Sequence, residues 1–289
     1  MKLATIMHEG RPTVAVVDPD RGWFWPLVGD MAGAIARVGG IATPDSPGLP
    51  LDAAKLLAPI AAPPHNIMCV GKNYLAHAHE FTRSGFDAGA RADDAIPEFP
   101  IIFTKPSSAI SGPYDDIPLW PGVDAAVDYE AELAVVIGRG GRFISRENAM
   151  SHVFGYTILN DVTARDLQRR HQQWFLGKGI DGFGPMGPWI TTADEVDGAY
   201  LRVTCTVNGE LRQDSSTADL IFDIPMLIET ISRSMTLAPG DVIATGTPVG
   251  IGFDPPRFLR DGDVVEIAIE GLGHIRNTVR RMAVEGIAR

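Results

Sequence analysis

The sequence predicts a β-rich, mixed α/β protein: a larger body preceded by a small N-terminal α+β unit. Three observations lead there. Short apolar runs of strand length outnumber helical patterns along most of the chain. The 31 glycines and 22 prolines keep those runs short, because both residues interrupt regular structure. Strands and helices do not alternate in βαβ fashion, which argues against a doubly wound sheet. At 289 residues, 45% of them hydrophobic and 21% charged, the chain can bury a sizeable core.

The elements follow in order. Leu3 to Met7 and Thr13 to Val17 read as paired strands around a Glu9-Gly10 turn. Short helices are expected over Met31 to Val38 and Leu51 to Leu57. Ala61-Ala62-Pro63-Pro64 is a stiff break, so residues 1–62 form the small unit and 63–289 the body. Asn66 to Val70 reads as a strand, with a helix from Tyr74 onward. Phe81 to Glu98 carries few large apolar residues and reads as a surface loop, either a lid or an insertion without a role. Val153 to Leu159 is an apolar strand. Val203 to Val207, Asn208-Gly209 and Glu210 to Gln213 form a hairpin with a primed turn. Phe222 to Ser232 is the clearest later helix, and Val242 to Thr245 and Val264 to Ile269 are strands.

Charge limits the partners. Twenty-five basic against 36 acidic residues leave a net charge of -11, a poor match to nucleic acid, whose phosphates need Lys and Arg. A small anionic substrate remains compatible, because a few nearby cations outweigh the global charge at short range. Cys69 and Cys205 sit in apolar runs and are expected as buried, reduced thiols. No signal peptide and no stretch of roughly 20 apolar residues is evident, so a cytoplasmic protein without a membrane partner is expected.

Several segments could carry chemistry. Glu130 and Glu132 precede the apolar tail Ala134 to Ile137. On a strand, side chains two apart share a face about 7 Å apart. Two such carboxylates suit a hard divalent cation, although a solvated strand face is the commoner origin of an isolated E-x-E. Asp161 stands where a strand gives way to a helix and could be an N-cap. Arg165 and Gln168 then fall on one helix face with it, more like a binding wall. His77 and Glu80, at i and i+3, can touch, and a carboxylate beside an imidazole raises its basicity. An incidental ion pair is the plainer alternative. A zinc pair of His77 and His79 lacks further ligands. Lys178, between glycines, could stabilise an oxyanion or be a solvated turn lysine, and Lys105 is similarly ambiguous. Gly182 to Gly187 fits G-x-G-x-x-G but contains Pro185 and leads into a strand-like run, so it is a turn and not a dinucleotide loop.

Together these segments resemble the fumarylacetoacetate hydrolase family. The matching pieces are Val70-Gly71-Lys72-Asn73-Tyr74 with His77 and Glu80, Phe103-Thr104-Lys105-Pro106, and Asp128-Tyr129-Glu130-Ala131-Glu132-Leu133. Asn160-Asp161-Val162-Thr163-Ala164-Arg165-Asp166-Leu167-Gln168 follows, then Lys178-Gly179 with Asp181-Gly182-Phe183, Thr245-Gly246-Thr247-Pro248, and Glu270-Gly271-Leu272-Gly273 with Asn277 and Val279. The resemblance implies a mixed β-sandwich roll, usually dimeric, with an N-terminal domain like that of many bacterial members. It implies that Glu130, Glu132 and Asp161 hold Mg²⁺ or Mn²⁺ (Ca²⁺ in some members). The His77–Glu80 pair would activate water, with Lys178 at the developing oxyanion and Arg165, Gln168, Gly246 and Thr247 around the substrate. The expected substrate is a 2-oxo or 2,4-dioxo acid and the expected reaction C–C hydrolysis of an acylpyruvate. Decarboxylation of oxaloacetate, or isomerisation of hydroxyhepta-dienedioate products of aromatic breakdown, draws on the same electron sink. A non-catalytic, metal-stabilised binding protein is the reading from another class.

Overall fold

The computed structural model describes residues 1–37, 41–83, 96–253 and 255–283. The expected lid or insertion over 81–98 lies largely outside them. The two principal sheets are one of twelve strands and one of five. Most neighbours pair antiparallel, but Val242–Ala244 pairs parallel with Ile67–Gly71, and Gly273–Arg281 parallel with Ile117–Leu119. This is the expected β-rich mixed α/β architecture, a large sheet rolled against a smaller one.

Strand Ala131–Ile137 lies inside the large sheet and is buried along its whole length. Its side chains alternate between two cores, as period two dictates. Leu133, Val135 and Ile137 pack with Val203, Ile267 and Ile275 of the five-stranded sheet. Ala134 and Val136 face the other way, into a core shared with Leu3, Val16 and Ile35 of the N-terminal unit. A strand covered on both faces reads as a continuous apolar run, which is what its sequence shows.

The N-terminal unit joins this sheet directly. Strand Lys2–His8 pairs with Arg11–Asp18 across the Glu9-Gly10 turn and, on its other edge, with Gly184–Thr192. The hairpin Arg202–Val207 and Glu210–Ser216 closes through Asn208 and Gly209, both at positive φ (54° and 78°), the primed turn expected. Helix Ile224–Ser234 starts from Asp223, whose carboxylate accepts the Met226 N–H at 3.0 Å, with a proline in its first turn. It buries Ile224, Leu227, Ile228 and Ile231.

Two expectations change. No helix forms over Leu51 to Leu57; Lys55–Leu57 is a strand paired with Lys2–His8, with Thr5 opposite Leu57. An isolated seven-residue helix is marginal in water, whereas the sheet edge satisfies the same backbone groups. Within Gly182 to Gly187 only the first residues turn, because strand Gly184–Thr192 has already begun. Both cysteines are free and buried. Among the described residues no helix is long and apolar enough to cross a membrane, which says nothing of membrane β-barrels.

Candidate active site

Neighbouring strands bring the acids together. Ala131–Ile137 pairs with Val153–Asn160 in a register that sets Ala131 opposite Asn160. Glu130 and Glu132, at the start of one strand, therefore lie beside Asp161, at the end of the other. The junction is tied twice: the Asp161 N–H donates to the Glu130 carbonyl at 2.9 Å, and the Glu130 N–H to Asn160 Oδ1 at 3.0 Å. One carboxylate oxygen from each of Glu130, Glu132 and Asp161 lies within 4.8 Å of the others, and all three residues are buried. Among the described residues no other group of three acids, histidines or cysteines is so arranged.

Asp161 is not a helix cap. The helix Arg165–His171 begins after Ala164, which makes no side-chain capping bond. Both Asp161 oxygens instead accept from buried ammonium groups, Oδ1 from Lys105 at 2.6 Å and Oδ2 from Lys178 at 2.7 Å. Lys178 also donates to Glu130 Oε2 at 2.7 Å and lies over the Phe103 ring. The two lysines left ambiguous by the sequence thus both bind Asp161, one at each carboxylate oxygen.

Arg165 is fully buried and clamps acids. Its Nε donates to Asp128 Oδ2 at 2.9 Å, its Nη2 lies 2.6 Å from Glu130 Oε1, and its Nη1 donates to Gln168 Oε1 at 3.2 Å. Gly246 likewise turns inward, its N–H donating to Glu132 Oε2 at 3.0 Å.

Four buried carboxylates, Asp128, Glu130, Glu132 and Asp161, pack with the buried cations Lys105, Arg165 and Lys178, and buried Lys72 lines the same pocket. Glu132 and Glu130 respond to these neighbours in opposite directions. Burial, then the charges of Asp161 and Glu130, raise the Glu132 carboxyl well above the ordinary range. Burial acts on Glu130 too, but Lys178 and then Arg165 outweigh it and hold that carboxyl at about 2. All-oxygen donors at this spacing fit Mg²⁺, Mn²⁺ or Ca²⁺ by donor chemistry.

His77 and Glu80 lie on helix Leu75–Arg83, with Nδ1 3.3 Å from Glu80 Oε2. The Gly250 N–H donates to Glu80 as well, at 3.2 Å from Oε1. His77, Glu130, Glu132, Gln168, Lys178 and Thr247 line one pocket, whose aromatic wall is Phe103 and Trp174, packed edge to face at 5.2 Å. Residues as far apart in the chain as His77 and Thr247 thus meet in one pocket.

Three residues of the site were not singled out in the sequence. Asp128 fixes Arg165; Asn160 accepts the Glu130 N–H; Gln213, in the distant hairpin, donates to Thr247 Oγ1 at 2.8 Å. Asp128 and Asn160 stood inside quoted motifs. Gln213 left no local sign, being 82 residues from the strand it reaches.

The fumarylacetoacetate (FAA) hydrolase C-terminal family model matches residues 66–280. Oxaloacetate tautomerase YisK of Bacillus subtilis is 50% identical over 232 residues, covering 79% of this chain and 74% of that one. Two solved structures, each covering 98% of this chain and 100% of their own, align with a TM-score of 0.79. One is a fumarylacetoacetate hydrolase from Exiguobacterium antarcticum, 41% identical. The other is a 5-carboxymethyl-2-hydroxymuconate delta-isomerase from Mycobacterium smegmatis, 37% identical. Shared sequence over most of the body, on the same β-rich architecture, shows that this chain is an enzyme of the fumarylacetoacetate hydrolase family.

Proposed function

We propose that the protein is a divalent-metal-dependent tautomerase of a small 2-oxo acid of the oxaloacetate type. The reaction moves one proton between C3 and the 2-oxygen, so a C–H bond breaks and an O–H bond forms. The observation that carries the proposal is that His77, in contact with Glu80, and the Lys178 ammonium line the same pocket as Glu130 and Glu132. Glu80, held by the Gly250 N–H, orients His77 through Nδ1, and Nε2 is the atom assigned to take the C3 proton. The developing negative charge on the 2-oxygen is met by Lys178 Nζ and the Thr247 hydroxyl. Gln168 presents its amide NH₂ to the substrate carboxylate, because Arg165 can only donate and therefore fixes the amide oxygen. Mg²⁺ or Mn²⁺, held by Glu130, Glu132 and Asp161, would supply Lewis acidity that makes the C3 proton easier to remove.

Tautomerisation is favoured over the acylpyruvate hydrolysis expected from the sequence. The relative at 50% identity is named for it. Hydrolysis is the second reading, supported by the Exiguobacterium neighbour's name. We further propose a cytoplasmic homodimer, which light scattering would test. The decisive assay follows the ultraviolet absorbance of oxaloacetate enol with Mg²⁺, Mn²⁺ or EDTA. Metal-dependent interconversion without faster pyruvate release is expected. Acetylpyruvate cleavage with uncatalysed interconversion would overturn the reading.

A further inference from the structure

Gln213 is 1% exposed, on the strand Glu210–Ser216 outside the pocket lining. Both amide protons and the amide oxygen are engaged. The Ala131 N–H donates to Oε1 at 3.1 Å, and Nε2 donates to Thr247 Oγ1 and to the Pro248 carbonyl, both at 2.8 Å. The orientation is forced by chemistry: a backbone N–H can only donate and a proline carbonyl can only accept. Thr247 Oγ1 is therefore an acceptor toward Gln213. A hydroxyl carries one proton, and no acceptor for it is found among the described residues. Thr247 lines the substrate pocket.

We propose that Gln213 is a positioning residue that turns the Thr247 hydroxyl into a donor aimed at the substrate's developing oxyanion. The same amide holds Ala131, the residue between Glu130 and Glu132, so one buried side chain sets the ligand strand and the donor in a common frame. The inference rests on reading the pocket as a 2-oxo acid site.

Its test needs no turnover. Oxalate, a planar mimic of the 2-oxo acid enolate, is titrated calorimetrically into the Mn²⁺-loaded protein. Gln213→Glu keeps the acceptor for Ala131 but makes Thr247 donate to the new carboxylate, reversing the hydroxyl. Oxalate should then bind about tenfold to a hundredfold more weakly, the size of one hydrogen bond to a charged group. Thr247→Val should lose as much, and the double variant no more than either. Mn²⁺ affinity should stay unchanged in Gln213→Glu, which a general loosening of the site would not allow. Gln213→Met, which frees the hydroxyl without reversing it, should fall between wild type and Gln213→Glu, and it serves if the charged variant does not fold. Wild-type oxalate affinity in either Gln213 variant, or additive losses in the double variant, would overturn the proposal. A wild type that binds oxalate but does not interconvert oxaloacetate would sink the tautomerase reading alone.

Discussion

Glu132 is the acid whose ionisation depends most on what binds beside it. Burial and two carboxylate neighbours raise its carboxyl, so the ion-free folded chain holds a proton that the unfolded chain releases. The sign follows from linkage. Stability from that proton is complete below the ordinary value of 4.5 and is lost as pH rises toward the folded value. A divalent cation relieves the cost by taking the proton's place. The gain in melting temperature from Mn²⁺ should therefore grow as pH rises from 4.5 toward the raised folded value, and a gain flat across that range would contradict it. Glu132→Ala should abolish Mn²⁺ binding by calorimetry together with metal-dependent turnover. His77→Asn separates the two functions, because the ring sits on a helix that carries none of the three acids. Mn²⁺ affinity should survive while turnover falls about a hundredfold or more, as loss of a positioned base requires. Wild-type turnover in that variant would remove His77 from the mechanism.

The elements explain why some of this was visible in the sequence. Glu130 and Glu132 obey a period of two over three residues, and His77 and Glu80 a helical step of three, so local geometry sufficed for both pairs. The Leu51 to Leu57 helix was misread because its real partner, Thr5 to Met7, lies some fifty residues away and leaves no mark in the window. Gln213 was hidden and the role of Lys105 left open for the same reason: both depend on tertiary pairing. Asp161 was legible as an acid at a strand end, but only the observed start of the helix at Arg165 excludes capping. The turn after Val242–Ala244 shows how an element carries the site. Gly246 has φ of +100°, and an added Cβ would stand 2.9 Å from Asn73 Cβ and 3.0 Å from the Val70 carbonyl oxygen. Gly246→Ala should cost about 1–3 kcal/mol in urea unfolding and weaken Mn²⁺ binding, since its N–H orients Glu132. Unchanged stability would show that the turn relaxes at no cost.

At the scale of the whole molecule, the N-terminal unit and the body share both a sheet and a core. Lys2 and Leu3 pair with Thr191 and Ile190, and Leu3, Val14, Val16, Met31 and Ile35 cover Phe154, Leu159, Met186 and Ile190 of the body. The strand bearing Met186 pairs in turn with the one that ends at Asn160, with Leu159 opposite Met186, so this packing stands directly behind Asp161. The family match starting at residue 66 shows that relatives share the body; it does not make the body self-sufficient here. Residues 63–289 alone would leave four large apolar side chains open to water. At about 1.5–3 kcal/mol each, that is on the order of 10 kcal/mol, comparable to the whole stability of an ordinary domain. The isolated segment should therefore aggregate or unfold without a cooperative transition and fail to bind Mn²⁺, as read by size exclusion and calorimetry. A monomeric segment with the full-length melting temperature would show instead that the first 62 residues are an appendage, and that the acid cluster is held by the body alone.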